Sequence, residues 1–194
     1  MWPSVACCVL LSAACGAAQQ SADTRAPRVC PAGDAVVQVD QEASALADCT
    51  RMTGDLAVGP SFALRSLGPL ARVERVAGRI DISGNLELGG VFLPALAAVD
   101  GDLLIESNRQ VTTVSLHRLV EVKGDLVVRD NRELLRLDLS ALRRVGGRLE
   151  VSGHAALETA ALDHLERAGE LVLEDNPAWP AEEVDAIERR VKPR

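Results

Sequence analysis

The sequence predicts a mostly β solenoid, one domain of about six stacked coils of 22–24 residues each. Two observations predict it. A Gly-x-Leu/Ile-x-Val/Ile/Leu unit recurs at Gly54, Gly78, Gly101, Gly124, Gly147 and Gly169, at steps of 24, 23, 23, 23 and 22 residues. The apolar content is 47%, yet aromatic residues make up only 2% and tyrosine is absent. A core built from Leu, Val, Ile and Ala suits thin stacked coils better than a thick globule.

Aligned on the glycine, the apolar residues fall into columns. Two positions on stand Leu56, Ile80, Leu103, Leu126, Leu149 and Leu171; four positions on stand Val58, Ile82, Ile105, Val128, Val151 and Leu173. A period of two in a short run marks a strand with one buried face. Further columns stand two before the glycine (Val76, Val99, Val122, Val145), five before (Val73, Leu96, Leu119, Leu142), eight before (Leu70, Leu93, Leu116, Leu139) and ten after (Leu64, Leu88, Val111, Leu134, Leu157, Trp179). Each coil therefore turns about six side chains inward, each worth roughly 1.5–3 kcal/mol when buried. A lone coil cannot bury them; stacking does.

A polar column stands seven after the glycine: Asn85, Asn108, Asn131 and Asn176, with Ser61 and His154 in the two remaining coils. Asn tolerates left-handed backbone and bonds backbone groups at tight corners, so the column reads as a structural ladder.

The ends differ from the coils. Ala35–Val39 predicts a first strand and Gln41–Ala47 a short helix, together an N-terminal cap. Pro180 suits a helix start, and residues 181–191 place Val184, Ile187 and Val191 on one face. Their acidic residues come early and their basic ones late, as the helix dipole favours. This helix is expected to cover the last coil, since open strand edges invite aggregation.

The first 22 residues carry no charged side chain, and Val5–Ala18 is an apolar, small-residue run. It is shorter than the roughly 20 residues a spanning helix needs and reads as the apolar region of a secretory signal over residues 1–18, although the usual preceding basic residue is missing. Leu11-Ser12-Ala13-Ala14-Cys15-Gly16 resembles a bacterial lipobox, which implies lipidation of Cys15; Ser12 stands where that pattern prefers Leu. Ordinary cleavage after Ala18 is the alternative. Residues 19–29 are expected to form a flexible tether, and residues 30–194 the solenoid. Export leaves Cys30 and Cys49 as an even pair in an oxidising compartment, hence a disulfide; in a cytosolic protein they would be free thiols.

The stretch Val29-Cys30-Pro31, Leu46-Ala47-Asp48-Cys49-Thr50 and Gly54-Asp55-Leu56 resembles the opening of the receptor L domain, the extracellular ligand-binding lobe of insulin- and EGF-type receptors. The Val-x-Gly-x-Leu-x-Ile-x-x-Asn coils and the closing Asn176-Pro177-x-Trp179-Pro180 are also similar, the latter to single-domain bacterial L-domain-like lipoproteins. The resemblance covers about residues 29–192. It implies a right-handed, leucine-rich-repeat-like solenoid; the crossover rule for parallel strands favours the same hand. With a single such domain and no Cys-rich module, receptor signalling is not implied.

The net charge of −7 without a basic stripe excludes nucleic acid as a natural partner. The near absence of aromatics removes the stacking platforms that single strands and sugars use. No phosphate loop, Gly-x-Ser-x-Gly, zinc-binding His motif or Cys pair at zinc spacing is present, so neither a cofactor nor a metal is expected. His117, His154 and His164 occupy different repeat positions. Asp102 and Asp125 occupy equivalent positions in adjacent coils and are the one pair of carboxylates that tempts a catalytic reading. The column Asp55-Arg79-Asp102-Asp125-Arg148-Glu170 reads more simply as an outward charge ladder.

On the outer sheet face, Leu104 and Val127 are expected side by side, bordered by Glu106 and Arg129, as a candidate binding patch. The functional expectation is a non-catalytic, exported cell-envelope protein, a lipoprotein if Cys15 is acylated, that binds a protein or envelope ligand or acts as scaffold. The alternative is a carbohydrate-active β-solenoid lyase or hydrolase.

Overall fold

The computed structural model describes residues 29–30 and 33–193. The expected signal peptide over 1–18, the Cys15 lipidation site and all of the 19–29 tether except Val29 lie outside the described residues.

The four central coils each visit three parallel sheets in turn, and the first and last coils visit two of them. The short-strand sheet comes first, with seven two-residue strands: Arg51–Met52, Arg75–Val76, Ala98–Val99, Glu121–Val122, Arg144–Val145, Arg167–Ala168 and Lys192–Pro193. The long-strand sheet follows the glycine, with seven strands: Ala35–Val37, Leu56–Val58, Ile80–Ser83, Leu103–Glu106, Leu126–Arg129, Arg148–Ser152 and Glu170–Glu174. The third sheet has four: Gly90–Phe92, Thr113–Ser115, Arg136–Asp138 and Thr159–Ala161. Every pairing is parallel, and each residue meets its equivalent one coil on, as Leu103 meets Leu126 and Ile105 meets Val128. The chain is thus a mostly β solenoid of about six coils, as its period predicts.

The glycines explain the register. The N–H of Gly101 donates to the carbonyl of Gly78, that of Gly124 to Gly101, and that of Gly147 to Gly124, at 3.1, 3.1 and 3.0 Å. A Cβ on Gly101 would stand 2.8 Å from the carbonyl carbon of Gly78, closer than real Cβ contacts come. The column is glycine because backbone packs directly on backbone there.

The predicted apolar columns line the interior. Leu103, Ile105, Leu126, Val128, Leu149 and Val151 have no exposed surface. The core is one continuous aliphatic rod, closed at one end by Trp179, Ile187 and Val191.

At the N-terminus, Cys30 and Cys49 are joined in a disulfide, with Cα atoms 5.4 Å apart. Helix α1 runs Asp40–Ala45, starting one residue before the expected span and ending two before it. The first strand stops at Val37 rather than Val39, because Val39 is the helix N-cap: the Glu42 carboxylate accepts the N–H of Gln38 at 2.6 Å and of Val39 at 3.2 Å. At the other end, helix α2 runs Ala181–Arg190. Its inward face carries Ile187 and half-buried Val184, and Trp179 donates its indole N–H to Glu183 at 3.0 Å. After α2 the chain returns as Lys192–Pro193 and pairs with Arg167–Ala168, a last strand that the sequence reading does not anticipate.

Leu126→Ala, a truncation between two coils, is expected to cost about 3 kcal/mol in urea unfolding. Reducing Cys30–Cys49 is expected to cost a further ~3 kcal/mol, read as a lower unfolding midpoint under dithiothreitol.

Candidate functional site

The asparagine column forms the ladder that its period predicts. Asn85, Asn108 and Asn131 are fully buried. Asn108 and Asn131 reach back to the preceding coil with both ends of their amides, whereas Asn85 does so only with its Nδ2–H, to the Val58 carbonyl at 3.1 Å. Asn108 donates Nδ2–H to the Ile82 carbonyl at 2.8 Å, and Asn131 donates to Ile105 at 2.8 Å. Their Oδ1 atoms accept the backbone N–H of Asn85 at 3.1 Å and of Asn108 at 3.0 Å. Asn176 continues the pattern, donating to Val151 at 2.8 Å and accepting from the His154 backbone at 3.1 Å.

One detail of the expected corner is corrected. The left-handed residue is not the asparagine but the one before it: Gly84, Ser107, Asp130, Gly153 and Asp175 have φ of 67°, 56°, 56°, 73° and 56°. The asparagine is chosen for its side-chain bonds alone.

His154 is fully buried, with Nδ1 facing the Asn131 carbonyl and Nε2 facing the Val128 carbonyl, each at 3.1 Å. A neutral ring donates to one of them only. Burial holds the imidazole below its ordinary value of 6.5, against the pull of the two carbonyls. Ser61, in the first coil, donates its hydroxyl back to the Gln38 carbonyl at 2.5 Å and accepts the N–H groups of Ala63 and Leu64 at 3.1 and 3.0 Å.

The charge column faces outward, as expected, and its aspartates also bind backbone. Asp55 Oδ1 accepts the N–H of Arg79 at 2.8 Å, Asp102 that of Asp125 at 2.9 Å, and Asp125 that of Arg148 at 2.8 Å. These carboxylates turn along the stack and pin the next coil, over the glycine where no Cβ intervenes. Asp102 and Asp125 are therefore engaged with backbone. Further along, Arg148 donates to Glu150 at 3.1 Å and to Glu170 at 3.0 Å, and its hydrogen bond keeps the Glu170 carboxyl below its usual range.

The candidate binding patch assembles on the long-strand sheet. Leu104 and Val127 are register neighbours, as are Glu106 and Arg129, and Arg129 Nε lies 2.5 Å from Glu106 Oε2. Leu104 is half-buried and Val127 is only 8% exposed, so the apolar area offered is small. Together with Arg148 and Glu150 these residues line a depression of about 530 Å³. The chain's two phenylalanines lie outside it: Phe62 and Phe92 are exposed elsewhere, at 79% and 52%.

Among the described residues, no group of three or more His, Cys, Asp and Glu is arranged to hold a metal ion. Nor is any helix among them long and apolar enough to cross a membrane. The sequence reading missed the outer side of the short strands. There Asp100 accepts from Lys123 at 2.7 Å and from Arg75 at 2.6 Å, and these bonds hold its carboxyl below the usual range. The inward valines of those strands were visible as a column; the residues beside them carried the signal.

Asn108→Ala is expected to lower stability by about 3 kcal/mol, since it strands a buried N–H and a buried carbonyl. His154 gives a pH test. The unfolded chain takes up its proton near 6.5 and the folded chain only at lower pH, so the stability tied to the neutral ring is complete above 6.5 and declines as pH falls below it. His154→Asn restores the repeat residue and removes that decline; thermal midpoints of the two proteins are expected to diverge between pH 7 and pH 5. In comparison with known proteins, the chain matches no protein-family model, no curated protein and no solved structure.

Proposed function

We propose that the chain is a non-catalytic, exported cell-envelope protein, anchored through a lipid on Cys15, whose long-strand face is a rigid scaffold for a protein or envelope ligand. The observation that carries this reading is the Cys30–Cys49 disulfide. Disulfides persist in oxidising compartments, and an apolar run ending in a lipobox-like Cys15 precedes this one. The same proposal takes the chain as a relative of the receptor L domain. Support comes from the cysteine-stapled first turn, the asparagine corners and the closing Trp179 before α2.

The enzymatic alternative draws less support. The two carboxylates it would use, Asp102 and Asp125, are bound to the N–H groups of the following coils. A ligand on the long-strand face would instead meet Leu104 and the Glu106–Arg129 pair.

Intact-mass analysis of the protein purified from membranes tests the first half of the proposal. A diacylated or triacylated Cys15 as the mature N-terminus is expected; an uncleaved Met1 would overturn export. For the second half, Leu104→Arg is expected to abolish recovery of a partner cross-linked to this face, with the fold unchanged by circular dichroism. Undiminished recovery would rule out the patch.

A further inference from the structure

The outer position of the short strands runs, in register, Arg51, Arg75, Ala98, Glu121, Arg144, Arg167 and Lys192. On a chain of net charge −7, this is a local reversal of sign. The two ends of the column are handled differently. Arg75 is neutralised by Asp100, which stands two residues after Ala98. The equivalent positions after Arg144 and Arg167 are Gly146 and Gly169, which have no side chain to offer.

The result is an open cleft of about 330 Å³, lined by Glu121, Lys123, Arg144, Gly146 and Arg167. A Cβ on Gly146 would collide with the Lys123 carbonyl oxygen, so the backbone's own close packing keeps the cleft unfilled. Arg144 and Arg167 are exposed neighbours on strands about 4.8 Å apart, where like charges are unfavourable. Among the described residues neither has a carboxylate partner, although Arg143, one residue earlier, pairs with Glu166 at 3.4 Å. Glu121 stands beside Arg144 in register and forms no ion pair with it. Lys123 is held by Asp100 at 2.7 Å.

We propose that this cleft binds a phosphate monoester, with the guanidinium groups of Arg144 and Arg167 as its two jaws. Two planar forks present paired N–H donors to the oxygens of one dianion, and the bound charge relieves their mutual repulsion. Glu121 closes one end and limits the site to a single oxyanion. The site lies on a different sheet from the scaffold face and does not depend on export.

Calorimetric titration of the full mature chain with inorganic phosphate, and then with glycerol 1-phosphate, tests it, with sodium chloride at matched ionic strength as control. Saturable binding to the wild type is expected. Arg144→Gln and Arg167→Gln are each expected to weaken it about tenfold, and Arg51→Gln, at the far end of the column, to leave it unchanged. Both arginines are exposed, and unchanged unfolding midpoints confirm intact variants. Vesicles of phosphatidylcholine with and without phosphatidic acid separate the sources. Co-sedimentation with phosphatidic acid that is lost in the R144Q/R167Q double variant marks a lipid headgroup. Binding of glycerol 1-phosphate without co-sedimentation marks a soluble or polymer-borne phosphate. No binding of any of these probes, equal binding by the double variant, or a chloride response of the same size would overturn the site. A Met1 left uncleaved would end the export proposal and leave this one standing.

Discussion

Everything in this solenoid depends on how closely one coil can approach the next at the glycine column. There the contact is backbone on backbone, with the N–H of one glycine donating to the carbonyl of the glycine before it. A side chain at any of these positions would push the coils apart and pull the flanking strands out of register. Because the glycine is fixed, Leu126 must sit on Leu103 and Val128 on Ile105, and the aliphatic rod follows. The same missing Cβ lets the Asp102 and Asp125 carboxylates swing over the column and bind the next coil's backbone.

Two polar systems therefore share the work of fixing the stack. The asparagines reach back to the preceding coil from inside, where each unpaired amide would be costly. The aspartates receive from the following coil at the surface, where solvent lowers the cost of failure. This division suits the composition: with aromatics at 2% there are few large side chains to lock one coil on another, and directional bonds supply the register that bulk would otherwise supply.

Much of this was legible in the sequence, because a repeat multiplies each weak signal. Leu103 alone says little, whereas six equivalent apolar residues at one offset specify an inward column. The asparagine ladder was readable for the same reason, and the capping helix, which occurs once, was readable from its own signals: Pro180 at its start and Val184, Ile187 and Val191 on one face. What was not legible depends on direction. The charge column faces outward as expected, but nothing in Gly-Asp-Leu says that its carboxylates also bind the backbone of the next coil. The left-handed corner falls on Ser107 and not on the adjacent Asn108, and the repeat period alone does not separate two neighbouring columns. The return strand Lys192–Pro193 was invisible because it occurs once. The arginine column on the short strands is hard to see because Ala98 and Glu121 interrupt it, and only the register brings Arg144 and Arg167 together.

The stacked glycines also make length a modular property of this chain. Residues 101–123 form one complete turn, from one glycine to the residue before the next. Excising them would join Asp100 to Gly124 and set Leu126 on Ile80, replacing one aliphatic contact with another of the same kind. The glycine, asparagine and apolar columns would all close over the gap, and both caps would keep their own neighbours. Change in such a molecule comes most easily in whole turns, by duplication or loss, while a single inserted residue inside a strand shifts every column after it. The span of the outer faces, and so the size of what they can meet, is set in increments of one coil.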